Sequence, residues 1–190
     1  MEVIDAKRAL RSIMRERIRA LSAEEKFLMD MRMHQNLAAH PWIQEAGTIL
    51  SFCSTREEPD THWLIGWAFA QGKRVALPVC LEEGQMEFYL LRTPEDLQRG
   101  KYGIQEPVGR EEPVLTKRTV CIVPAYTFTE NGKRLGKGGG YYDRFLTQHP
   151  ALRTIGLTYQ CLLQEDIPCE EHDIGVMQVV TDQRSANFGR

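Results

Sequence analysis

The residues Arg134 to Asp143 read RLGKGGGYYD, and they concentrate groups that suit an anion. Gly136, Gly138, Gly139 and Gly140 fall within five positions, with Arg134 before them, Lys137 among them and Asp143 after. A loop that enters a helix presents unpaired N–H groups and the positive end of the helix dipole. Glycine lets the backbone approach a phosphate closely and take positive φ. Arg134 and Lys137 add charge that neutralises phosphate oxygens. Asp143 is placed where a carboxylate holds Mg²⁺ bound to those oxygens. Neither Gly132 nor Gly136 is followed by Gly-Lys at the P-loop spacing, and from Gly136 the dinucleotide pattern meets Tyr141 where its third glycine belongs. A plain surface turn is the alternative, but it has no need of the flanking cations, the two tyrosines or the acid.

Three other stretches carry chemistry-bearing side chains. Lys7 and Arg11 stand four apart on one face of a helical pattern; with Arg8, Arg15, Arg17 and Arg19 they read first as a solvated basic face. Cys53 to Thr61 follow a short apolar run, and loops after strands are where open α/β sheets bind ligands. There Glu57, Glu58 and Asp60 would otherwise cap a helix beginning near Thr61. Tyr102 is either a surface turn residue or an aromatic able to stack on a ring. Cys169, Glu170, His172 and Asp173 raise zinc, but no second His/Cys cluster has ligand spacing. A thiol nucleophile needs a base beside it, which spacing does not reveal.

These residues need a scaffold. The 190 residues suit one domain, 42% hydrophobic and 26% charged, with a formal net charge of -2 that excludes a global basic field for nucleic acid. Five cysteines, an odd number without a CxxC pair, suit free thiols in a reducing cytoplasm. No secretory signal and no apolar run of membrane-spanning length occur in this sequence. The apolar spacing predicts a helix over 3–21, then a capping box at Ser22 and Glu25 opening a second helix to about Ala39, with Pro41 discouraging continuation. Strands are expected over 48–53, 74–79, 86–91, 120–123, 154–158 and 176–180, and helices over 60–71 and from Tyr141 to about Gln148. Residues 99–113 read as a long surface loop. The alternation predicts a single α/β, Rossmann-like three-layer domain over 1–190, with a largely parallel central sheet, helices on both faces and the helices of 3–39 packed on that core.

The segment VPAYTFTENGKRLGKGGGYYDRFL resembles the 5-formyltetrahydrofolate cyclo-ligase family, also called 5,10-methenyltetrahydrofolate synthetase. Pro124, Phe128, Gly132, Arg134 to Gly136, Gly138 and Gly140 to Asp143 match its motif. Ala125, Thr129 and Gly139 depart from it: many relatives have Gly, Asp and, in some cases, a basic residue there. Thr129 puts the geometry of the turn in question more than the chemistry. Lys7-Arg8-Ala9-Leu10-Arg11, the Lys101–Pro107 element and Pro168 to Asp173 before Val180-Thr181 extend the resemblance to nearly the whole chain.

The resemblance implies an ATP- and Mg²⁺-dependent enzyme that closes 5-formyltetrahydrofolate to 5,10-methenyltetrahydrofolate with release of ADP and phosphate. It implies nucleotide contacts from Lys7, Arg11, Arg134, Leu135, Gly136, Lys137, Gly138, Gly139, Gly140, Tyr141 and Tyr142, with Arg134 and Lys137 acting on the transferring group. Cys53, Glu58 and Tyr102 would bind the folate, and Asp143 and Asp173 the metal. A cytoplasmic monomer acting on small molecules, without nucleic acid or membrane, is the matching expectation. Two alternatives stand beside it: a non-catalytic anion- or nucleotide-binding module, and a sugar-phosphate isomerase on a similar architecture.

Overall fold

The computed structural model describes residues 2–184, apart from the side chain of Tyr102. The first apolar stripe forms α1 (Val3–Ala20), which buries Met14 and Ile18. Helix α2 (Ala23–Ala39) opens on the capping box, in which Ser22 and Glu25 each satisfy the other's backbone N–H. Pro41 does more than end α2. It begins α3 (Pro41–Glu45), because proline at the first helical position lacks only an N–H that would have no partner there. Strand β1 (Thr48–Leu50) is shorter than its apolar run, and α4 (His62–Ala70) follows it. Strands β2 (Arg74–Cys80) and β3 (Met86–Leu90) are close to expectation.

The expected loop over 99–113 is partly ordered into an antiparallel ribbon of β4 (Leu97–Arg99) and β5 (Gln105–Pro107), closed by a 3-10 turn at Lys101–Gly103. Three-residue strands leave too few alternations to be read from sequence. After β6 (Thr119–Val123), a second small ribbon, β7 (Thr127–Phe128) with β8 (Arg134–Leu135), carries the chain into the glycine loop and α5 (Tyr141–Gln148). Strands β9 (Arg153–Leu157) and β10 (Gln178–Val180) complete the sheet.

The central sheet has six strands in the order β10-β9-β6-β1-β2-β3. All its pairings are parallel except β2 with β3. Alternate residues of one strand serve opposite faces. In β6, Val120 and Ile122 join Met14, Met33, Leu37 and Leu64 of the helices α1, α2 and α4. Cys121 and Val123 point the other way, to Phe145 and Leu146 of α5. The sheet is thus the middle of three layers, and the helices of 3–39 pack on it. Among the described residues no helix is long and apolar enough to cross a membrane.

The strand order sets the place of the site. From β1 the chain crosses to β2 on one side, and from β6 it crosses to β9 on the other. Neighbouring parallel strands whose connections diverge leave a crevice at their C-terminal ends. Residues 51–61 leave β1 there, and Pro124 leaves β6 there.

Gly156 of β9 fixes how closely the β7 ribbon can approach the sheet. A Cβ at that position would lie 2.6 Å from Cζ of Phe128, a ring with no exposed surface. Gly156→Ala should cost about 1–3 kcal/mol through overpacking, read as a lower urea midpoint at unchanged slope. An unchanged midpoint would show that the ribbon shifts freely and does not anchor the loop it carries.

Candidate functional site

The glycine loop is held by its ends. Arg134 and Leu135 belong to β8, and the Leu135 side chain is in the core, 1% exposed, so that residue offers the cavity its backbone. Gly138 and Gly140 have φ of +99° and +67°, values that a side-chain-bearing residue reaches only with strain. Gly140 is the N-cap of α5 and gives no side-chain cap. The first N–H groups of the helix are therefore left to whatever enters the cavity, and the dipole there favours an anion. At Gly139, where some relatives carry a basic residue, a Cβ would lie 2.8 Å from the Tyr141 ring. Thr129 also proves harmless to the turn. Its hydroxyl donates to Asn131 Oδ1 at 2.5 Å and accepts the Lys133 N–H at 3.1 Å, closing the turn as an aspartate would.

Segments remote in sequence meet this loop. Arg11 Nε donates to the Gly136 carbonyl at 2.9 Å. Lys7, 6% exposed, reaches Asp173 at 2.5 Å and Glu170 at 2.7 Å. Burial alone would lower the Lys7 ammonium, but its hydrogen bonds and charge contacts with Asp173 and Glu170 outweigh it and raise it. Burial likewise opposes the Asp173 carboxylate, and the Glu170 N–H and Lys7 overcome it and hold the carboxyl low. The pair is therefore charged on both sides at neutral pH. Its contribution to stability is present between the unfolded values of about 4 and about 10. It is lost as pH falls through the depressed Asp173 value or rises through the raised Lys7 value.

Arg134 lines the cavity as expected of a phosphate contact, and its side chain also ties the loop to its neighbours. Its side chain is 5% exposed. Nε donates to the Ile174 carbonyl at 2.8 Å, and Nη2 to Asp143 Oδ1 at 2.5 Å. The same Oδ1 accepts the Ile174 N–H at 3.0 Å. Arg134 thus ties the start of the loop to the start of α5 and to the chain beyond Asp173. Lys137, with 44% of its side chain exposed, faces the cavity and pairs with Glu58 Oε1 at 2.8 Å.

Glu58 is the hinge between the two halves of the site. It is 6% exposed, and its Oε2 accepts the Thr55 N–H at 2.8 Å and the Thr55 hydroxyl at 2.9 Å. Capping of α4 falls to its neighbour, since Asp60 Oδ1 accepts the His62 N–H, while the Thr61 hydroxyl bonds the Phe52 carbonyl instead. Cys53 is buried and lines the cavity. The His62 imidazole is raised to about 10 by hydrogen bonds to Asp60 and Cys53. The expected stacking of Tyr102 concerns a side chain outside the described residues.

One cavity of about 1300 Å³ connects these groups, lined among others by Lys7, Arg11, Cys53, Glu58, Lys137 and Asp173. Tyr142 also lines it, edge-on to Phe88. Its hydroxyl is shut off from bulk water and has no hydrogen-bond partner among the described residues. Burial pushes this phenol well up, so it stays a neutral donor.

Metal-ligand chemistry also sorts itself by geometry. Glu170, His172 and Asp173 bring one ligand atom each within 4.8 Å of one another. Cys169 does not belong to that group, and its thiol, pushed up by burial, contacts the Ile167 carbonyl. Carboxylate oxygens dominate, which suits a hard cation better than zinc. Asp143, expected beside Asp173, is joined to it through Ile174 and engages Arg134. Of the groups at the site, Arg144, which bonds the Gly139 carbonyl, is the one the sequence reading did not name.

The 5-formyltetrahydrofolate cyclo-ligase family model matches residues 3–182. The chain is 35% identical to the 5-formyltetrahydrofolate cyclo-ligase of Escherichia coli over 178 residues, covering 90% of this chain and 98% of that one. It is 32% identical to the mouse 5-formyltetrahydrofolate cyclo-ligase over 198 residues, covering 97% and 98%. The NMR structure of Aquifex aeolicus 5,10-methenyltetrahydrofolate synthetase superposes with a TM-score of 0.80 at 29% identity, over 94% of this chain and 90% of that chain.

The unpartnered Tyr142 hydroxyl gives a direct test of occupancy. Tyr142→Phe removes a group that the ligand-free fold does not use, so the melting temperature should hold or rise slightly. If a bound substrate supplies the partner, kcat/KM should fall by about tenfold. Unchanged kinetics with unchanged stability would place that hydroxyl outside the reaction.

Proposed function

Because the chain belongs to the 5-formyltetrahydrofolate cyclo-ligase family, we propose that it uses ATP and Mg²⁺ to close 5-formyltetrahydrofolate to 5,10-methenyltetrahydrofolate, and that this single cavity holds both substrates. Membership in an enzyme family displaces the non-catalytic module, and an isomerase has no use for ATP. The observation that carries the proposal is the Lys137–Glu58 contact at 2.8 Å. It joins a loop built for polyphosphate to a buried carboxylate suited to the amino-pyrimidine edge of a pterin.

The formyl oxygen of the substrate is a weak nucleophile and its carbon a weak electrophile. Attack of that oxygen on the γ-phosphorus of ATP releases ADP and makes the oxygen part of a good leaving group. N10 then attacks the formyl carbon and loses its proton to solvent, the five-membered ring closes, and phosphate departs with the former formyl oxygen. Such a transfer depends on positioning and charge neutralisation more than on acid–base groups.

The chain's residues divide this work. Lys7 and Arg11 approach the polyphosphate from α1, and the N–H groups of 136–140 and the first turn of α5 wrap it. Lys137 is the cation for the transferring phosphoryl group, because it sits where nucleotide and folate must meet. Arg134, which lines the same cavity, shares that role and also keeps the loop in shape through Ile174 and Asp143. Glu58 and Cys53 receive the pterin, and Tyr141 and Tyr142 line the junction. Mg²⁺ would be held by Asp173 and Asp143 with Glu170 close by, and it would supply charge neutralisation on the phosphate oxygens. The fit is chemical: hard oxygen donors, few in number, beside a phosphate site. Asp143 would contribute its carboxylate to the cation while its Oδ1 stays bonded to Arg134 and the Ile174 N–H.

With ATP, Mg²⁺ and 5-formyltetrahydrofolate, the near-ultraviolet absorbance of the methenyl product should appear, and omission of any one should abolish it. Lys137→Ala should lower kcat by roughly a hundredfold or more. Glu58→Ala should raise the KM for the folate far more than that for ATP. Product without ATP would refute the proposed chemistry, and equal changes in both KM values would remove Glu58 from the pterin pocket.

A further inference from the structure

Arg144 follows the motif residue Asp143, and its side chain turns back over the loop. Its Nε and Nη2 donate to the Gly84 carbonyl at 2.8 and 2.6 Å, and Nη2 donates to the Gly139 carbonyl at 2.6 Å. The guanidinium carbon lies 5.6 Å from the centre of the Tyr141 ring. Gly84 belongs to the turn between β2 and β3, a turn tight enough to hold Glu83 at φ 54° and Gly84 at φ 73°. The residues just after it, Gln85, Met86 and Glu87, line the same cavity as the glycine loop.

Two glycines record how close this approach is. A Cβ at Gly140 would lie 2.7 Å from Nη1 of Arg144, and one at Gly84 would collide with Nη2. Both glycines also have positive φ, so each is needed twice: for its own backbone and for the guanidinium beside it. A planar guanidinium reaches two carbonyls at fixed angles, and a lysine ammonium does not reproduce that fork.

We propose that Arg144 is a positioning residue for the nucleotide: it fastens the glycine loop to the β2–β3 turn and so fixes the loop amides at the spacing the polyphosphate needs. The bond to the Gly139 carbonyl turns that oxygen toward Arg144 and leaves the next N–H groups for the cavity. The latch also ties together two walls of one cavity. The inference rests on reading the loop as the polyphosphate site.

Steady-state kinetics of the full chain test it, with both KM values and melting temperature read for each variant. Arg144→Ala should raise the KM for ATP at least about threefold, as expected for loss of charged hydrogen bonds, and leave the KM for the folate unchanged. Arg144→Lys should recover part of the loss. Gly84→Ala, which puts a methyl where the guanidinium lies, should raise the KM for ATP by a similar factor. The double variant should be no worse than the worse single one, because both break the same contact. An ATP KM that stays at the wild-type value in Arg144→Ala, or factors that multiply in the double variant, would overturn the latch. Should Arg144→Ala fail to fold, wild-type ATP KM in both Arg144→Lys and Gly84→Ala would overturn it equally. A wild-type protein that needs no ATP would instead refute the reading of the loop itself.

Discussion

A single buried guanidinium holds the site together. Arg134 comes from the end of a two-residue strand, yet it bonds Asp143 at the head of α5 and Ile174 in the segment leading to β10. Three stretches of chain that share no helix or strand pairing with one another are thereby set in register. Removing one partner of a buried charged pair leaves the other unpaired, which is far costlier than the pair's net worth. The arrangement lets an arginine on the cavity wall also keep the cradle at a fixed shape.

From that joint the rest follows. The Ile174 contact brings Glu170 and Asp173 to the cavity, where Lys7 pairs with both. Arg11 on the same face of α1 reaches the Gly136 carbonyl. The N-terminal helix and the C-terminal segment, more than 160 positions apart, meet over the loop. The sheet makes this possible, because its divergent connections at β1 and β6 open a crevice on which all these segments converge.

The long periodic elements were legible in the sequence. Helix α1, the capping box of α2, the apolar runs of β2 and β6 and the α/β alternation all carry enough repeats to declare themselves. The short ribbons did not, since two- and three-residue strands have no period to read. Pro41 illustrates a subtler limit: proline is compatible with both ending one helix and starting the next. For the site, residue types in RLGKGGGYYD pointed to a phosphate, and the family resemblance brought in Lys7, Arg11, Glu58 and Asp173. Pairing was beyond reach. Nothing in the sequence says that Arg134 meets Asp143, that Lys137 meets Glu58, or that Arg144 folds back to Gly139. Gly139 and Thr129, which looked like weaknesses in the motif, are accommodated by a ring packed against the loop and by a hydroxyl closing the turn.

The central claim is that the loop amides and the uncapped start of α5 receive the polyphosphate, a claim that backbone NMR shifts of the isotope-labelled chain address residue by residue. On titration with a non-hydrolysable ATP analogue and Mg²⁺, the largest changes should fall on the N–H groups of Gly136, Gly138, Gly139 and Gly140 and of Tyr141 and Tyr142. Saturation that leaves those amides unmoved, with shifts confined to other parts of the chain, would contradict the account.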